Sequence, residues 1–470
     1  MPAKSNIIYI LSDEHRGQAM THAGDVNLQT PVMDRMAGEG VSFSRAYANC
    51  PMCTPSRGTI FSGRHAHAGP VQSFFDVVKP SSPTTATILR EAGYHTVNIG
   101  KWHLGYVRDQ KPEGVSFDPP EYWHNRVPEC FRGGFQDWYS DILPISGHFK
   151  NYYYEGDSKT PTQLPGYHTD DFTDLAIEYL KNYNRDEPLF MVLSPHPPHF
   201  PLEVPEKWLR WKYEELVVRE NFADVAPYRE WLAVYYGMIE NLDWNIGRLL
   251  DAVQDLPRFK DSLVVYFSDH GDFMGSHGRS KRKVHPHEES ISIPAIFHRP
   301  GHIPPQGQVD EMFSLVDMLP TTLGLLGLEV PDYVQGTDFS PALRGESFDG
   351  PDDVLIEMIG VARWNLDMPD WRGIVSRDWK YVFYEDSREL LFNLAEDPYE
   401  LDNLVESHPD KKAEMRILLL KRLDETRESY FHVLIENGVP PEPTINVGPP
   451  QETYQPKAAE SLYQSRKRKL

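Results

Sequence analysis

Four short apolar runs, each about the length of one strand and each ending in charged or polar side chains, restrict this chain to few folds. Asn6 to Ser12 reads Asn-Ile-Ile-Tyr-Ile-Leu-Ser, with almost no alternation of polar and apolar residues. A strand wetted on one face alternates, so this pattern fits a parallel strand covered on both faces. His95 to Gly100, Leu189 to Ser194 and Ser262 to Ser268 read as further strands, and Val41 to Ala48 and Ile293 to His298 as two more. Helical spacing fills the intervals. Thr30-Pro31 opens a helix with Val32, Met33 and Met36 on its apolar stripe and an end at Gly38 or Gly40. Thr84 to Ala92, closed by Gly93, and Asp170 to Asn182 are two more, and Ala226 to Val253 is a long one with its apolar residues at helical spacing. Strands and helices in alternation predict an α/β architecture.

The residues at the strand tips matter because open α/β sheets bind ligands at the carboxyl ends of their strands. Asp13-Glu14-His15-Arg16 follows the first run, and Asp13 suits either a metal site or a helix N-cap. Lys101-Trp102-His103 follows another run, bracketed by Gly100 and Gly105. The third leads into Pro195-His196-Pro197-Pro198-His199-Phe200-Pro201, where four prolines hold two histidines on a stiff loop. The fourth ends in Asp269-His270-Gly271-Asp272. Asp269 and His270 are metal-ligand types. Oxygen ligands with one nitrogen suit Ca²⁺ or Mg²⁺, and the imidazole also suits Mn²⁺ or Zn²⁺. Asp272 reads as a turn residue behind them.

Cys50 to Arg64 brings a nucleophile and two cations into one segment. Pro55 and Ser56 begin helices, the serine by satisfying a free backbone N–H, which puts Cys53 at a helix N-terminus. With Arg57 one turn on, the site suits a tetrahedral oxyanion. Cys50-x-x-Cys53 also fits a metal knuckle or a redox pair, although no second cysteine pair completes a zinc site. Cys50, Cys53 and Cys130 are the three cysteines, too few for a disulfide framework.

Cys53-Thr54-Pro55-Ser56-Arg57, followed by Gly58-Thr59-Ile60-Phe61-Ser62-Gly63-Arg64, resembles the signature of type I sulfatases. In that family, part of the alkaline phosphatase superfamily, the cysteine is oxidised to formylglycine. Gly100-Lys101-Trp102-His103-Leu104-Gly105 is similar to the family's second signature, whose lysine and histidine contact formylglycine. Glu288-Glu289-Ser290 with Pro294 matches a third block, with His287 in place of its tyrosine, and counting back four residues selects Lys283 as the sulfate-binding lysine. His199 in Pro-His-x-Pro-Leu matches the histidine that serves the leaving oxygen, with His196 as the competing alignment.

The resemblance implies Cys53, Arg57, Lys101, His103, His199 and Lys283 as catalytic residues, and His196 and His277 beside the substrate. Its metal ligands would be Asp13, Glu14, position 53, Asp269 and His270, around Ca²⁺ with Mg²⁺ or Mn²⁺ as alternatives; Glu14 departs from the commoner Asp or amide there. One hydroxyl of the hydrated formylglycine (a gem-diol) would attack sulfur. Deprotonation of the other, helped by His103, would expel sulfate. The implied fold is a large mixed, mostly parallel sheet sandwiched by helices over residues 1–345, then a smaller C-terminal α+β subdomain, 346–470, with a short antiparallel sheet, a helix and a Pro-rich tail. The implied partners are a sulfate ester, on a sulfated carbohydrate, and a formylglycine-generating or radical maturation enzyme. Two rivals stand beside this reading: a phosphonate or phosphate ester hydrolase of the same superfamily, and a noncatalytic binder of sulfated glycans whose Cys53 is never oxidised.

The remaining expectations are coarser. Residues 106–168 read as long loops, where Trp123, Trp138, Tyr139, Tyr152, Tyr153 and Tyr154 are either sugar-stacking platforms or buried anchors. Leu315 to Leu326 reads as a helix ended by Gly324 or Gly327, and Lys411 to Arg427 as another. Asp353 to Met358, Arg372 to Ser376, Lys380 to Tyr384 and Leu390 to Asn393 read as short strands. A net charge of −22 argues against nucleic acid and makes any anion site a local island of cations. No apolar run approaches the roughly 20 residues that span a bilayer. The first strand begins at Asn6, without a signal peptide before it, so the expected location is cytoplasmic, or periplasmic or secreted if a leader has been removed.

Overall fold

The apolar runs form the middle of a ten-stranded sheet. The computed structural model describes residues 5–105, 126–141, 147–225, 227–279, 283–360 and 368–437. In chain order the strands are β1 (Ile7–Ser12), β2 (Val41–Tyr47), β3 (His95–Gly100), β4 (Asp137–Asp141), β5 (Asn151–Glu155), β6 (Thr162–Leu164), β7 (Leu189–Ser194), β8 (Leu263–Ser268), β9 (Ala295–His298) and β10 (Gly307–Ser314). Their spatial order is β10-β2-β9-β8-β1-β7-β3-β4-β5-β6. The run β8-β1-β7-β3-β4 is parallel, whereas β9 is antiparallel to both its neighbours and β5 and β6 close the far edge antiparallel.

The helices cover both faces. They are α1 (Pro31–Glu39), α2 (Cys53–Ser62), α3 (Thr85–Glu91), α4 (His168–Asn182), α5 (Tyr228–Asp255), α6 (Glu288–Ile291), α7 (Met318–Leu325), α8 (Ser340–Leu343), α9 (Pro409–Glu425) and α10 (Ser429–Asn437). Alternation within β1 shows why the run is apolar throughout. Ile7, Tyr9 and Leu11 enter one core with Phe61, Trp102 and Phe190, while Ile8 and Ile10 enter the opposite core with Leu242, Ile246 and Leu249 of α5. Tyr9 meets Phe190 and Phe267 edge to face, each at 5.2 Å. No helix among the described residues is long and apolar enough to cross a membrane.

A separate antiparallel sheet follows: β11 (Asp353–Met358), β12 (Trp371–Ser376), β13 (Trp379–Tyr384) and β14 (Glu389–Asn393), in that order. Its two faces are both used. Val354, Ile356 and Trp371 pack with Tyr47, Cys50 and Met52 of the large body, and Leu355, Ile374 and Tyr381 pack under α9 and α10. Cys50, half of the pair that also fitted a metal knuckle or redox site, is a free cysteine in the core between the two sheets.

Several expectations need correcting. Residues 137–164 are not all loop: they add β4, β5 and β6 to the sheet. Trp138 is 1% exposed and Tyr153 and Tyr154 are 7% exposed, so these three are anchors and not sugar platforms. Ser56 does not cap α2. The helix begins at Cys53, Met52 is its extended N-cap, and the Ser56 hydroxyl donates to the Asp269 carbonyl at 2.6 Å. The helix expected over 315–326 is a 3₁₀ turn, Leu315–Asp317, followed by α7. It is Gly327, at φ +65°, that follows its end, whereas Gly324 lies within it. Strand β10 and helix α10 were not anticipated. Trp123 and the Pro-rich segment 440–456 lie outside the described residues.

Candidate active site

Four adjacent parallel strands deliver the polar tips to one edge. β1 ends at Asp13, its neighbour β8 at Asp269 and His270, β7 runs into the histidine loop, and β3 ends at Lys101. Register fixes their depth: Ser12 pairs with Ser268 and Gly100 with Ser194. Gly100 sits at φ +99°, and a Cβ there would lie 2.3 Å from the Ser194 carbonyl oxygen, so the turn into Lys101 demands glycine. Glu14 and His103 also take left-handed backbone, at φ +68° and +59°. The Tyr235 hydroxyl holds the acidic loop, donating to the Glu14 carbonyl at 2.7 Å and accepting from Arg16 N at 3.0 Å.

Helix α2 points its N-terminus into this edge and presents Cys53 at its first position. The Cys53 sulfur, 1% exposed as a residue, lies 3.0 Å from Lys283 Nζ, 3.2 Å from His270 Nε2 and 3.6 Å from Asp13 Oδ1. His103 and His199 also act on it as neighbours. Burial pushes the thiol up, yet Lys101, Lys283 and His270 together hold it well below the ordinary thiol range.

Arg57, one turn further, is fully buried. Its Nε donates to Asp269 Oδ2 at 2.9 Å, and Nη1 donates to the Lys101 carbonyl at 2.9 Å and the Ser194 hydroxyl at 3.0 Å. Nη2 has no partner and is the donor left over for a ligand. Lys101 is ion-paired with Asp13, and Lys283 with Glu14. Burial would raise Asp13, but Lys101, His199 and Lys283 hold it below the carboxylate range.

The histidines divide by position. His199 Nε2 lies 3.3 Å from Glu14 Oε1, and although burial lowers its pKa, Glu14 and Asp13 raise it above the usual imidazole value. His196 Nδ1 lies 3.9 Å from Asp13 Oδ2. His103 is lowered to about 4 by burial and by Lys101. Two residues that the sequence reading missed stand behind this loop. His148 Nε2 donates to the His199 carbonyl at 2.8 Å, and the His168 ring meets that of His196 at 5.3 Å. The nearest signal was Ser-Gly-His at 146–148, inside a stretch read as loop.

Asp13, Cys53, Asp269 and His270 each offer a ligand atom within 4.8 Å of the others, all buried. This donor set fits a divalent cation. His270 Nε2 is 3.6 Å from both Asp13 Oδ1 and Asp269 Oδ1, and burial and Asp13 push Asp269 up to about 6, the sign of crowded negative charge. Glu14 stands outside the four. Its Oε1 is taken by Lys283 and His199, and its Oε2 is buried without a partner. Asp272 is a turn residue, its Oδ1 accepting from Met274 N at 2.9 Å. His277 is not brought to Cys53 by any of its contacts, which are Asn221, Glu289, Phe273 and His287.

A parallel sheet edge presenting acids, an imidazole and a helix-terminal cysteine defines a hydrolase of the alkaline-phosphatase-like class. The sulfatase family model matches residues 5–328, and that of the N-sulphoglucosamine sulphohydrolase C-terminal region matches 275–429. The ulvan-active sulfatase of Formosa agariphila is 30% identical over 417 residues, covering 86% of this chain and 78% of that protein. A solved Bacteroides thetaiotaomicron structure from its glycosaminoglycan metabolism has a TM-score of 0.83 at 25% identity, over 93% of this chain and 100% of that one. The phosphonate monoester hydrolase of Agrobacterium radiobacter, at TM-score 0.72 and 22% identity over 91% and 96%, shares the fold. The chain belongs to the sulfatase family and is a sulfuric ester hydrolase.

Proposed function

We propose that this sulfatase removes sulfate from a sulfated carbohydrate, with Cys53 converted to formylglycine and a divalent cation held by Asp13, Asp269, His270 and position 53. The observation that carries the reading is the meeting of two carboxylates, His270 and Lys283 around a single side chain at a helix N-terminus. Formylglycine and the cation together would supply an oxygen nucleophile and its activation at neutral pH. The chain's own residues do the rest. Arg57 Nη2, Lys101 and Lys283 bind the sulfuryl oxygens and offset the charge that grows on them. His199 Nε2, beside Glu14 and position 53, holds the proton for the departing ester oxygen. His103, beside position 53 at another strand tip, takes a proton there during sulfate release. The Formosa relative and the glycosaminoglycan-pathway neighbour support a carbohydrate carrier for the sulfate.

Cys53→Ala tests the assignment: turnover is lost while the circular dichroism spectrum is kept, and full activity in that variant overturns it. Mass spectrometry of the peptide around position 53 reports formylglycine directly. Sulfate release from a panel of sulfated mono- and oligosaccharides identifies the carrier. Parallel rates on aryl sulfate and phosphonate esters separate this reading from the phosphonate hydrolase one.

A further inference from the structure

A second group of ligand-type side chains converges away from Cys53. His277, Glu289 and Glu400 each offer an atom within 4.8 Å of the others. Hydrogens are too few here for the acceptors present. Asn221 Nδ2 carries two, yet faces Glu289 Oε1 at 2.8 Å, His277 Nε2 at 3.0 Å and the Tyr399 carbonyl at 3.1 Å. Glu289 Oε2, 3.7 Å from His277 Nε2, is buried with no partner, and so is Asn221 Oδ1. Glu289 is 0% exposed, and a buried carboxylate oxygen left unpaired is costly.

Cations already present offset the charge but leave one carboxylate oxygen without a donor. Arg219 Nε is 3.0 Å from Glu289 Oε1, and Lys380 Nζ lies 2.7 Å from Glu400 and from Glu288. Arg279, further out, donates to His285 at 2.7 Å. Arg16 also acts on Glu289, so three carboxylates face three cations, yet none of these gives a hydrogen bond to Glu289 Oε2.

We propose that His277, Glu289 and Glu400, with the Tyr399 carbonyl beside them, form a second divalent-cation site, distinct from the catalytic one. Oxygen donors with one imidazole suit Mn²⁺, and Ca²⁺ or Mg²⁺ through the oxygens. The ion would brace three segments, the loop at His277, helix α6 at Glu289 and the turn at Tyr399–Glu400 beside the antiparallel sheet, next to the loop around Asn221. Glu289 adjoins Ser290, whose hydroxyl donates to the Lys283 carbonyl at 2.7 Å, so the brace reaches the lysine that touches Cys53.

Mn²⁺ is the probe. Metal-stripped protein is titrated with Mn²⁺, free ion is read by electron paramagnetic resonance, and Tm is followed in parallel. Wild type is expected to bind two Mn²⁺ per chain, Asp13→Asn one, and Asp13→Asn with His277→Ala none, with the Tm rise of the single variant absent from the double. His277→Ala leaves the Arg219–Glu289 pair in place, so loss of one ion with unchanged circular dichroism is not misfolding. One Mn²⁺ in wild type and none in Asp13→Asn, or equal binding with and without His277→Ala, overturns the proposal. Glu289→Gln, which keeps the Asn221 and Arg219 contacts through one oxygen, is the second variant and is expected to lose the same ion.

Discussion

Replacing Glu357 should unfasten the antiparallel sheet from the segment that follows the catalytic helix. Glu357 lies on β11 and is fully buried. Its Oε2 accepts from His67 Nδ1 at 2.8 Å and stands 3.4 Å from Arg372 Nε, while Arg372 Nη2 donates to Glu428 at 2.8 Å. Burial alone would raise this carboxyl, but His67 and Arg372 hold it at about 2, against an ordinary 4.5. A difference of about 2.5 pKa, at ~1.4 kcal/mol each, corresponds to roughly 3 kcal/mol of native-state stabilisation at neutral pH.

The sign follows from which state binds the proton more weakly. The folded carboxyl is the stronger acid, so its contribution is complete above about pH 4.5 and is lost as pH falls towards 2. His67 moves oppositely. Its pKa is raised by Glu357 against burial, so its share is complete below its ordinary value of 6.5 and fades as pH rises through the folded value. Urea unfolding of wild type and Glu357→Gln at pH 7, 5, 4 and 3 checks both. The variant should be less stable by roughly 3 kcal/mol at pH 5, with the gap narrowing at pH 4 and again at pH 3. Equal stabilities at pH 5, or a gap unchanged between pH 5 and pH 3, would refute the reasoning.

Arg57→Lys keeps the charge but leaves one ammonium to replace three donor contacts, so kcat/KM on a sulfate ester should fall about 10- to 100-fold, the worth of one or two charged hydrogen bonds; unchanged kinetics would remove Arg57 from the site. Trp138→Ala should cost ~3–5 kcal/mol of stability by denaturant melt and leave KM for a sulfated sugar unchanged, because the ring is packed against Trp102 at 6.0 Å and beneath Arg132; a raised KM with unchanged stability would restore the stacking role. Chelation with EDTA should abolish sulfate release, and Ca²⁺, Mg²⁺ or Mn²⁺ should restore it; full activity in the chelated enzyme would count against Asp13, Asp269 and His270 as ligands.

The strand tips were readable because parallel strands buried on both faces write themselves as continuous apolar runs, and such runs end where chemistry can begin. Asp13, Lys101, Asp269 and the loop holding His196 and His199 are all named by that logic before any distance is known, and the resemblance chooses His199 over His196. The far edge was not readable for the same reason inverted. β5 is Asn-Tyr-Tyr-Tyr-Glu and β6 is Thr-Gln-Leu, partly exposed edge strands whose composition does not distinguish them from an aromatic loop. His148 and His168 went unread with that region. Glu14 and Asn221 illustrate a different limit. What a side chain does with its second oxygen, or its third acceptor, depends on neighbours far away in sequence, Lys283 for one and Tyr399 for the other.

Helix α2 brings the two sides of the argument together. All ten of its residues are buried, yet six of them are polar or glycine: Thr54, Ser56, Arg57, Gly58, Thr59 and Ser62. A buried helix normally gains its stability from apolar packing, and here only Ile60 and Phe61 join the main core. Two of the polar residues, Ser56 and Arg57, serve as positional contacts. Ser56 fastens the helix to the Asp269 carbonyl at the end of β8, and Arg57 fastens it to Asp269, Ser194 and Lys101, which lie at the ends of β8, β7 and β3. Gly58 lets Val71 approach, since a Cβ would meet it at 2.7 Å. Cys53 is therefore aligned with the acids because the same helix is bonded to the strands that present them. Thr54 and Thr59 make no such contact. Substitutions at Ser56 should consequently shift the Cys53–His270 distance, whereas equal changes at Thr59 should not, and the motif is divided into positions that carry geometry and positions that fill space.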